Sequence, residues 1–137
     1  MNAQFGLFLS SLSQFLLFFV AAAVLTLIFV VVYTRITRHN ELDLIKQNSK
    51  AAALAFSGSL VGFALPLASI MIHTPTVVGM VLWGVVALII QVLVYLVLRL
   101  PMPQLSERID KGEIAAGIWL GACSIVGGIL NAAAMTP

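Results

Sequence analysis

Residues 48–71, NSKAAALAFSGSLVGFALPLASIM, decide the fold of this chain. They form an apolar, alanine-rich run of about the length that an α-helix needs to cross the hydrocarbon core of a bilayer. A second run, residues 113–135, EIAAGIWLGACSIVGGILNAAAM, repeats this character further along the chain. Each run follows a more β-branched apolar stretch and a charged loop. The order predicts a helical hairpin that occurs twice.

Composition places the whole chain in a membrane. Its 137 residues are 61% hydrophobic and 9% charged, whereas ordinary soluble domains carry about 25% charged residues. The chain therefore reads as a single membrane domain over residues 1–137. We predict an all-α membrane protein with four transmembrane helices, formed by two tandem, parallel-oriented hairpins. The predicted spans cover about 15–34 and 51–72 in the first hairpin (15–72), and about 77–98 and 114–135 in the second (77–135).

The segments between the spans contain recognisable helix signals. Residues 1–13 are apolar and rich in hydroxyl groups and are predicted to be an extended or interfacial lead-in. In the first charged loop, Asn40 is predicted to cap a short interfacial helix, and Asn48 or Ser49 to cap the second span. In the second loop, Ser106 is predicted to cap a short charged helix. We expect the part of the first loop that carries His39, Glu41 and Asp43 to be solvated.

Charge distribution predicts the orientation. All seven Lys and Arg lie in loops 35–50 and 99–111, and the segments at the other end of the spans carry none. The positive-inside rule puts both loops in the cytoplasm and both termini outside. Because the turn at 73–76 is short, the second and third spans should be antiparallel neighbours.

Small residues mark the predicted helix contacts. Lipid tails provide no hydrophobic drive for helix association, so close backbone approach through small side chains holds such helices together. We expect the fourth span to be the more buried of the two alanine-rich spans, and the first and third to face lipid more. Pro66 cannot donate to the Gly62 carbonyl and predicts a kink. The predicted packing residues are Ala51, Ala55, Gly58, Gly62, Gly117, Gly121, Ser124, Gly127 and Gly128.

The sequence offers little for chemistry. Charged residues occur only at the ends of the spans, and no nucleophile–base pair, phosphate loop or metal-ligand pattern is apparent. His39, Glu41 and Asp43 have poor ligand spacing. Gln91 and Asn131 are the costliest polar residues to bury, and each should hydrogen-bond a neighbouring helix; they act as structural links or line a polar path. No enzyme activity and no cofactor are predicted.

Several segments carry a family resemblance. HNELDLIKQNSKAAALAFSG, MPQLSERI, AAGIWLGA and GGILNAAAMT resemble the domain of unknown function 350 family, also called uncharacterised protein family 0719. The family pattern opens each inner helix with Asn and small residues; Asn48 matches it and Glu113 departs from it. The resemblance implies a four-span bacterial inner-membrane protein with two tandem domains. Because members often occur alongside proteins resembling the phage-shock protein PspA, it also implies a peripheral envelope-stress partner of that kind at the cytoplasmic face.

Two functions follow from these observations. In the first, the chain is a non-enzymatic membrane protein that sits in the lipid bilayer and forms a homo-oligomer, and its cytoplasmic loops meet a peripheral protein. In the second, duplicated hairpins oligomerise into a small transporter or channel, which internal repeats and the Pro66 break favour. Nucleic acid is not an expected partner.

Overall fold

The computed structural model describes residues 2–37 and 40–135, and within them all regular structure is helical. The described residues form six helices: α1 (Asn2–Ile36), α2 (Glu41–Lys46), α3 (Lys50–His73), α4 (Val77–Leu98), α5 (Leu105–Asp110) and α6 (Ile114–Met135). Helices α1, α3, α4 and α6 are long and apolar enough to span a membrane. The predicted all-α membrane fold with four spans is confirmed.

Helix α1 begins earlier than predicted. Residues 2–13 are not an extended lead-in, because the helix is continuous from Asn2 to Ile36. The segment contains one glycine, Gly6, and no proline, so the α-helical hydrogen-bonding pattern has no break. At 1.5 Å per residue the helix is about 52 Å long, well beyond the roughly 30 Å of a hydrocarbon core.

The side-chain contacts fix the direction of each span. Phe29 of α1 stacks on Phe63 of α3 with ring centroids 4.6 Å apart, while Tyr33 lies against Phe56. These pairs make α1 and α3 antiparallel. Tyr33 also meets Tyr95 of α4 edge to face at 5.8 Å, and Leu25 lies against Gly84 of α4, so α1 and α4 run in the same direction.

Helix α3, not α6, is the most buried span. Ten residues of α3 are buried against six of α6, so the expectation that the fourth span is the more buried was wrong. The reason is position: α3 lies against all three other spans, whereas α6 packs mainly on α3 and α4. The first and third spans are the more exposed pair, as predicted.

The charged loops fold into short helices that dock on the bundle. Asn40 caps α2, as predicted, because its side chain accepts a hydrogen bond from the Asp43 amide. Helix α2 turns Glu41 inward, and this carboxylate is completely buried. Leu105 and Ile109 of helix α5 also face inward and are completely buried. The expectation of a solvated loop is therefore wrong for Glu41.

Candidate functional site: a glycine seam and a buried polar cluster

The predicted packing residues meet along one seam between α3 and α6. A Cβ atom added to Gly117 would overlap the backbone of Ala51, one on Gly58 would overlap Gly121, and one on Gly62 would overlap Ser124. Since these contacts advance along both helices together, α3 and α6 are parallel. The two backbones touch, which only glycine permits at these positions.

Gly127 lies outside this seam. The nearest atom to a Cβ on Gly127 would be Cγ2 of Val94, on α4, at 2.9 Å. Gly128, its neighbour, does face α3. The structure buries the other predicted packing residues: Ala51, Ala55, Gly58, Gly62, Gly117, Gly121, Ser124 and Gly128.

Pro66 is buried inside α3. It changes the hydrogen bonding of the seam residue Gly62, four residues earlier. Because its ring has no N–H, the Gly62 carbonyl lacks the usual donor four residues on. That carbonyl lies directly against Gly128, where a Cβ would overlap it. The proline thus frees an acceptor that faces the α6 backbone. The kink at Pro66 stays a prediction.

A cluster of buried hydroxyl groups lies beside the seam. The Ser59 hydroxyl is within hydrogen-bond distance of the Tyr33 hydroxyl (2.9 Å) and of the Ser124 hydroxyl (3.4 Å), and it also reaches the Ala55 carbonyl at 2.9 Å. Tyr33, Ser59 and Ser124 come from α1, α3 and α6, and all three are buried. The cluster therefore ties three spans together at one point.

Gln91 extends this cluster to α4. Its amide nitrogen donates to the Ser124 carbonyl at 3.2 Å, which agrees with the prediction that it bonds a neighbouring helix. Its amide oxygen is buried and has no hydrogen-bond partner among residues 2–37 and 40–135. Asn131 differs from the prediction, because its buried amide nitrogen finds no partner in that same part of the chain.

Tyr95 forms a second polar contact nearer the charged loops. Its hydroxyl and that of Ser106 are 2.8 Å apart, and both residues are buried. The prediction that Ser106 caps α5 is therefore wrong. Ser106 lies within the helix, and Gln104 occupies the N-cap position without a side-chain bond. The guanidinium of Arg99 lies 5.9 Å from the Tyr95 ring centre, within the range of a cation–π contact.

Asn48 and Glu113 do not occupy equivalent cap positions. Asn48 has a φ of 67° and ends α2, and Gly112, with a φ of 82°, ends α5. Ser49 is the N-cap of α3 and accepts a hydrogen bond from the Ala52 amide, while Glu113 directly precedes α6. By position at the helix ends, Asn48 therefore corresponds to Gly112, and Ser49 to Glu113.

Both turns have the same hydrogen bonds. The amide of the left-handed residue donates to the carbonyl three residues earlier, and the next amide to one five residues earlier: Asn48 to Ile45, Ser49 to Leu44, Gly112 to Ile109 and Glu113 to Arg108. This is the Schellman pattern of helix ends. Only glycine and asparagine adopt the left-handed conformation at low cost.

Other candidate groups stand apart from this cluster. His73 is exposed at the end of α3, where its Nδ1 lies 2.8 Å from the Ser69 carbonyl. Cys123 is a free, half-buried thiol. No cluster of metal-ligating side chains occurs within the described ranges, and His39 lies outside them.

Sequence reasoning missed the hydroxyl cluster. Ser59 and Tyr33 are 26 positions apart, and neither stands out in a span that is otherwise apolar. The available signal was the predicted repeat: Ser59 and Ser124 are 65 positions apart, within one residue of the 64 that separate the two turns.

The fold and its buried contacts define a polytopic, helical membrane protein whose spans are joined by close backbone contacts and buried hydrogen bonds. The family described as Domain of Unknown Function (DUF350) matches residues 7–135, and the chain belongs to this family. It is 45% identical over 128 residues to the UPF0719 inner membrane protein YjfL of Escherichia coli strain K12, and equally to that of strain O157:H7. Each alignment covers 93% of this chain and 97% of the relative. No solved structure matches the chain.

Proposed function

We propose that this chain is a non-enzymatic integral protein of the bacterial inner membrane that acts by assembly, with itself and with a peripheral protein at its cytoplasmic face. The observation that carries the proposal is that both charged loops fold into helices anchored in the bundle. Glu41 of α2 and Leu105 and Ile109 of α5 are completely buried. A surface held in this way is preorganised, so a partner binds it without a large ordering cost.

The surface contains a recess where the two loops meet. It has a volume of about 360 Å³ and lies between the α2–α3 and α5–α6 turns. Lys50 and Lys111 line it together with Asp110, and the three side chains are exposed. Mixed charge of this kind suits a partner with a complementary charged surface, because such complementarity steers association. A PspA-like peripheral protein is the partner that the family resemblance suggests.

We also propose the orientation and the internal repeat that this function requires. The charge asymmetry supports cytoplasmic loops and termini on the other side. The parallel course of α1 with α4 and of α3 with α6 supports two hairpins of the same orientation. The matching Schellman turns and the contact between Ser59 and Ser124 support an axis along the membrane normal that relates residues 15–72 to residues 77–135.

The partner proposal is tested with purified components. The chain in lipid nanodiscs is immobilised, and the binding of a purified PspA-like protein is measured at several salt concentrations. We expect Lys50→Glu with Lys111→Glu to weaken binding by at least several-fold, and His73→Glu, at the opposite end, to leave it unchanged. Equal affinities for all variants, or no binding by the unmodified chain, would refute the docking surface.

Self-assembly is tested by counting protomers in nanodiscs and native membranes. Mass photometry and native mass spectrometry should both report more than one copy per particle at a low protein density in the membrane. The glycine seam is buried within one protomer, so we expect assembly to use other faces. A chain that is monomeric by both methods would refute the self-assembly proposal and leave the partner proposal standing.

A second candidate function is a small transporter or channel. The observation that favours it is the buried amide oxygen of Gln91, which lacks a partner within the described ranges and could face a passing polar species. The closure of Gly58 and Gly62 against α6 weighs against a water-filled path there. Proteoliposomes loaded with pH-sensitive and potential-sensitive dyes would decide: flux above that of empty vesicles, lost in Gln91→Leu, would favour transport.

A further inference from the structure

The first half of α1 projects beyond the rest of the bundle. Leu25 of α1 packs against Gly84 of α4, and the two helices are parallel. Counted back from this contact, Phe18 is level with Val77, the first residue of α4; counted back from the contact of Tyr33 with Tyr95, Phe15 is. Most of residues 2–17 therefore extends past the outer ends of the other spans, by about 20–24 Å at 1.5 Å per residue. We call residues 2–17 the arm.

The arm has no partner among the described residues, and its side chains are exposed throughout. The first residue of α1 that packs against the core is Phe18. The exposed side chains are large and apolar: Phe8 is 59% and Phe15 58% accessible. Apolar surface of this size outside the hydrocarbon core is unfavourable and marks an interaction site.

The apolar residues of the arm fall on one side. Taken as heptads, they occupy positions a, d and e, which form a single stripe. Most polar residues lie on the other side; Leu7 and Leu17 are the two large apolar residues off the stripe, and Asn2 is the one polar residue on it. The stripe, here called the seam of the arm, consists of Phe5, Phe8, Leu9, Leu12, Phe15, Leu16 and Phe19; the polar side carries Gln4, Ser10, Ser11, Ser13 and Gln14.

This pattern argues against a role for the arm in lipid. A helix surrounded by lipid is apolar on all sides, as residues 15–33 are, whereas the arm has a polar side. An amphipathic helix can also lie flat on a membrane. That position requires a sharp bend before the spanning half, and bends of this size occur at proline, at glycine or at helix irregularities. Helix α1 has no proline, and Gly6 lies too near its beginning.

We infer that the arm pairs with the arm of a second copy of this chain, in parallel and along the seam. Two copies in one membrane share an orientation, so their arms project side by side and equivalent seam positions meet, as in a parallel coiled coil. Residues 2–34 contain no charged side chain, and identical arms do not repel each other. This inference rests on the self-assembly proposed above and names the surface that produces it.

The seam is free to take this partner. At 3.6 residues per turn its centre lies about 120° around the helix from the side on which Phe18, Leu25 and Phe29 contact the bundle. A second copy therefore reaches the seam without displacing the protomer's own helices. Phe19, the seam residue nearest the bundle, is also exposed, so the pairing can extend to that level.

Disulfide trapping in native membranes tests the pairing. In a full-length Cys123→Ser background, Phe5→Cys and Leu12→Cys place thiols on the seam, and Ser10→Cys and Gln14→Cys place them on the polar side. A disulfide needs Cβ atoms roughly 3.5–4.5 Å apart. We expect both seam variants to form covalent dimers under mild oxidation several-fold more than the polar-side variants. Equal trapping on both sides, or on neither, would overturn the inference.

A second measurement separates this inference from the proposal beneath it. Leu12→Asp puts a charge in the seam and Gln14→Asp puts the same charge opposite, and neither residue contacts the core. We expect mass photometry in nanodiscs to show Leu12→Asp as monomers and Gln14→Asp with the unmodified stoichiometry. If Leu12→Asp stays oligomeric, the arm pairing fails and self-assembly stands; if the unmodified chain is monomeric, both fail.

Discussion

Gly58→Ala tests whether the α3–α6 seam holds the protein together. The new Cβ would lie 2.5 Å from the Gly121 carbonyl carbon and still nearer to two other backbone atoms of that residue. Carbon atoms prefer separations of about 3.5–4.0 Å, so the two helices must move apart by about 1 Å. Neither partner has a side chain that can turn away, and the separation loosens contacts along the whole seam.

The expected cost is large for a single methyl group. Overpacking in a well-packed core typically costs about 1–3 kcal/mol. A clash with backbone atoms belongs at the upper end of that range, because they cannot turn away as a side chain can. The gain in helix propensity from Gly to Ala offsets up to about 1 kcal/mol. We therefore expect a net destabilisation of about 1–2 kcal/mol for Gly58→Ala, and loss of the folded bundle for Gly58→Leu and Gly121→Leu.

Two glycines of the same chain serve as matched controls. A Cβ on Gly84 meets the Leu25 Cδ1 atom at 2.7 Å, the end of a side chain that can change rotamer, and one on Gly6 meets nothing within 4 Å. We expect Gly84→Ala to cost little and Gly6→Ala to cost nothing. Both substitutions carry the same propensity gain, so the difference from Gly58→Ala isolates the backbone clash.

Equilibrium unfolding gives the measurement. Protein in dodecylmaltoside is titrated with SDS, and tryptophan fluorescence is followed together with far-ultraviolet circular dichroism; Trp119 packs against the core on α6, and Trp83 is exposed. Gly58→Ala should unfold at a lower SDS mole fraction than the unmodified chain, and the controls should not. A midpoint for Gly58→Ala equal to that of Gly84→Ala would refute the argument from seam packing.

Three further predictions concern the polar cluster and the topology. Tyr33→Phe removes the hydrogen bond to Ser59 and should destabilise the bundle by about 0.6–1 kcal/mol in the same SDS titration. Gln91→Leu removes a buried acceptor that lacks a partner in the described ranges, so its unfolding midpoint should equal or exceed that of the unmodified chain. In a Cys-free background, an impermeant maleimide added to intact cells should label Pro75→Cys and spare Asp110→Cys.

Each of these has a clear contrary result. An unchanged midpoint for Tyr33→Phe would mean that the tyrosine hydroxyl contributes nothing to the core, and Ser57→Ala, at an exposed serine on the same helix as Ser59, supplies the baseline. A strongly destabilised Gln91→Leu would show that its bond to Ser124 outweighs the unpaired oxygen. Labelling of Asp110→Cys from outside, with Pro75→Cys protected, would reverse the orientation.

The sequence by itself determined the membrane class, the four spans and the small helices in the charged loops. These features depend on local properties: the length of an apolar run, a cap such as Asn40, and glycine or proline at a boundary. The lipid core imposes them on each segment independently, because every backbone polar group there must be satisfied within its own helix. The stripes of glycine likewise marked the sides of α3 that permit close approach.

Tertiary structure alone decided which of these surfaces meet. It placed Gly127 against Val94 instead of in the seam, turned Glu41 inward, and put α3 at the centre. It also joined Tyr33, Ser59 and Gln91 through groups far apart in the chain. Within a bilayer the hydrophobic effect does not favour one helix pairing over another, so close packing and hydrogen-bond geometry select the partners. Close packing and hydrogen-bond geometry depend on how whole helices are placed relative to one another, and no single segment of sequence specifies that placement.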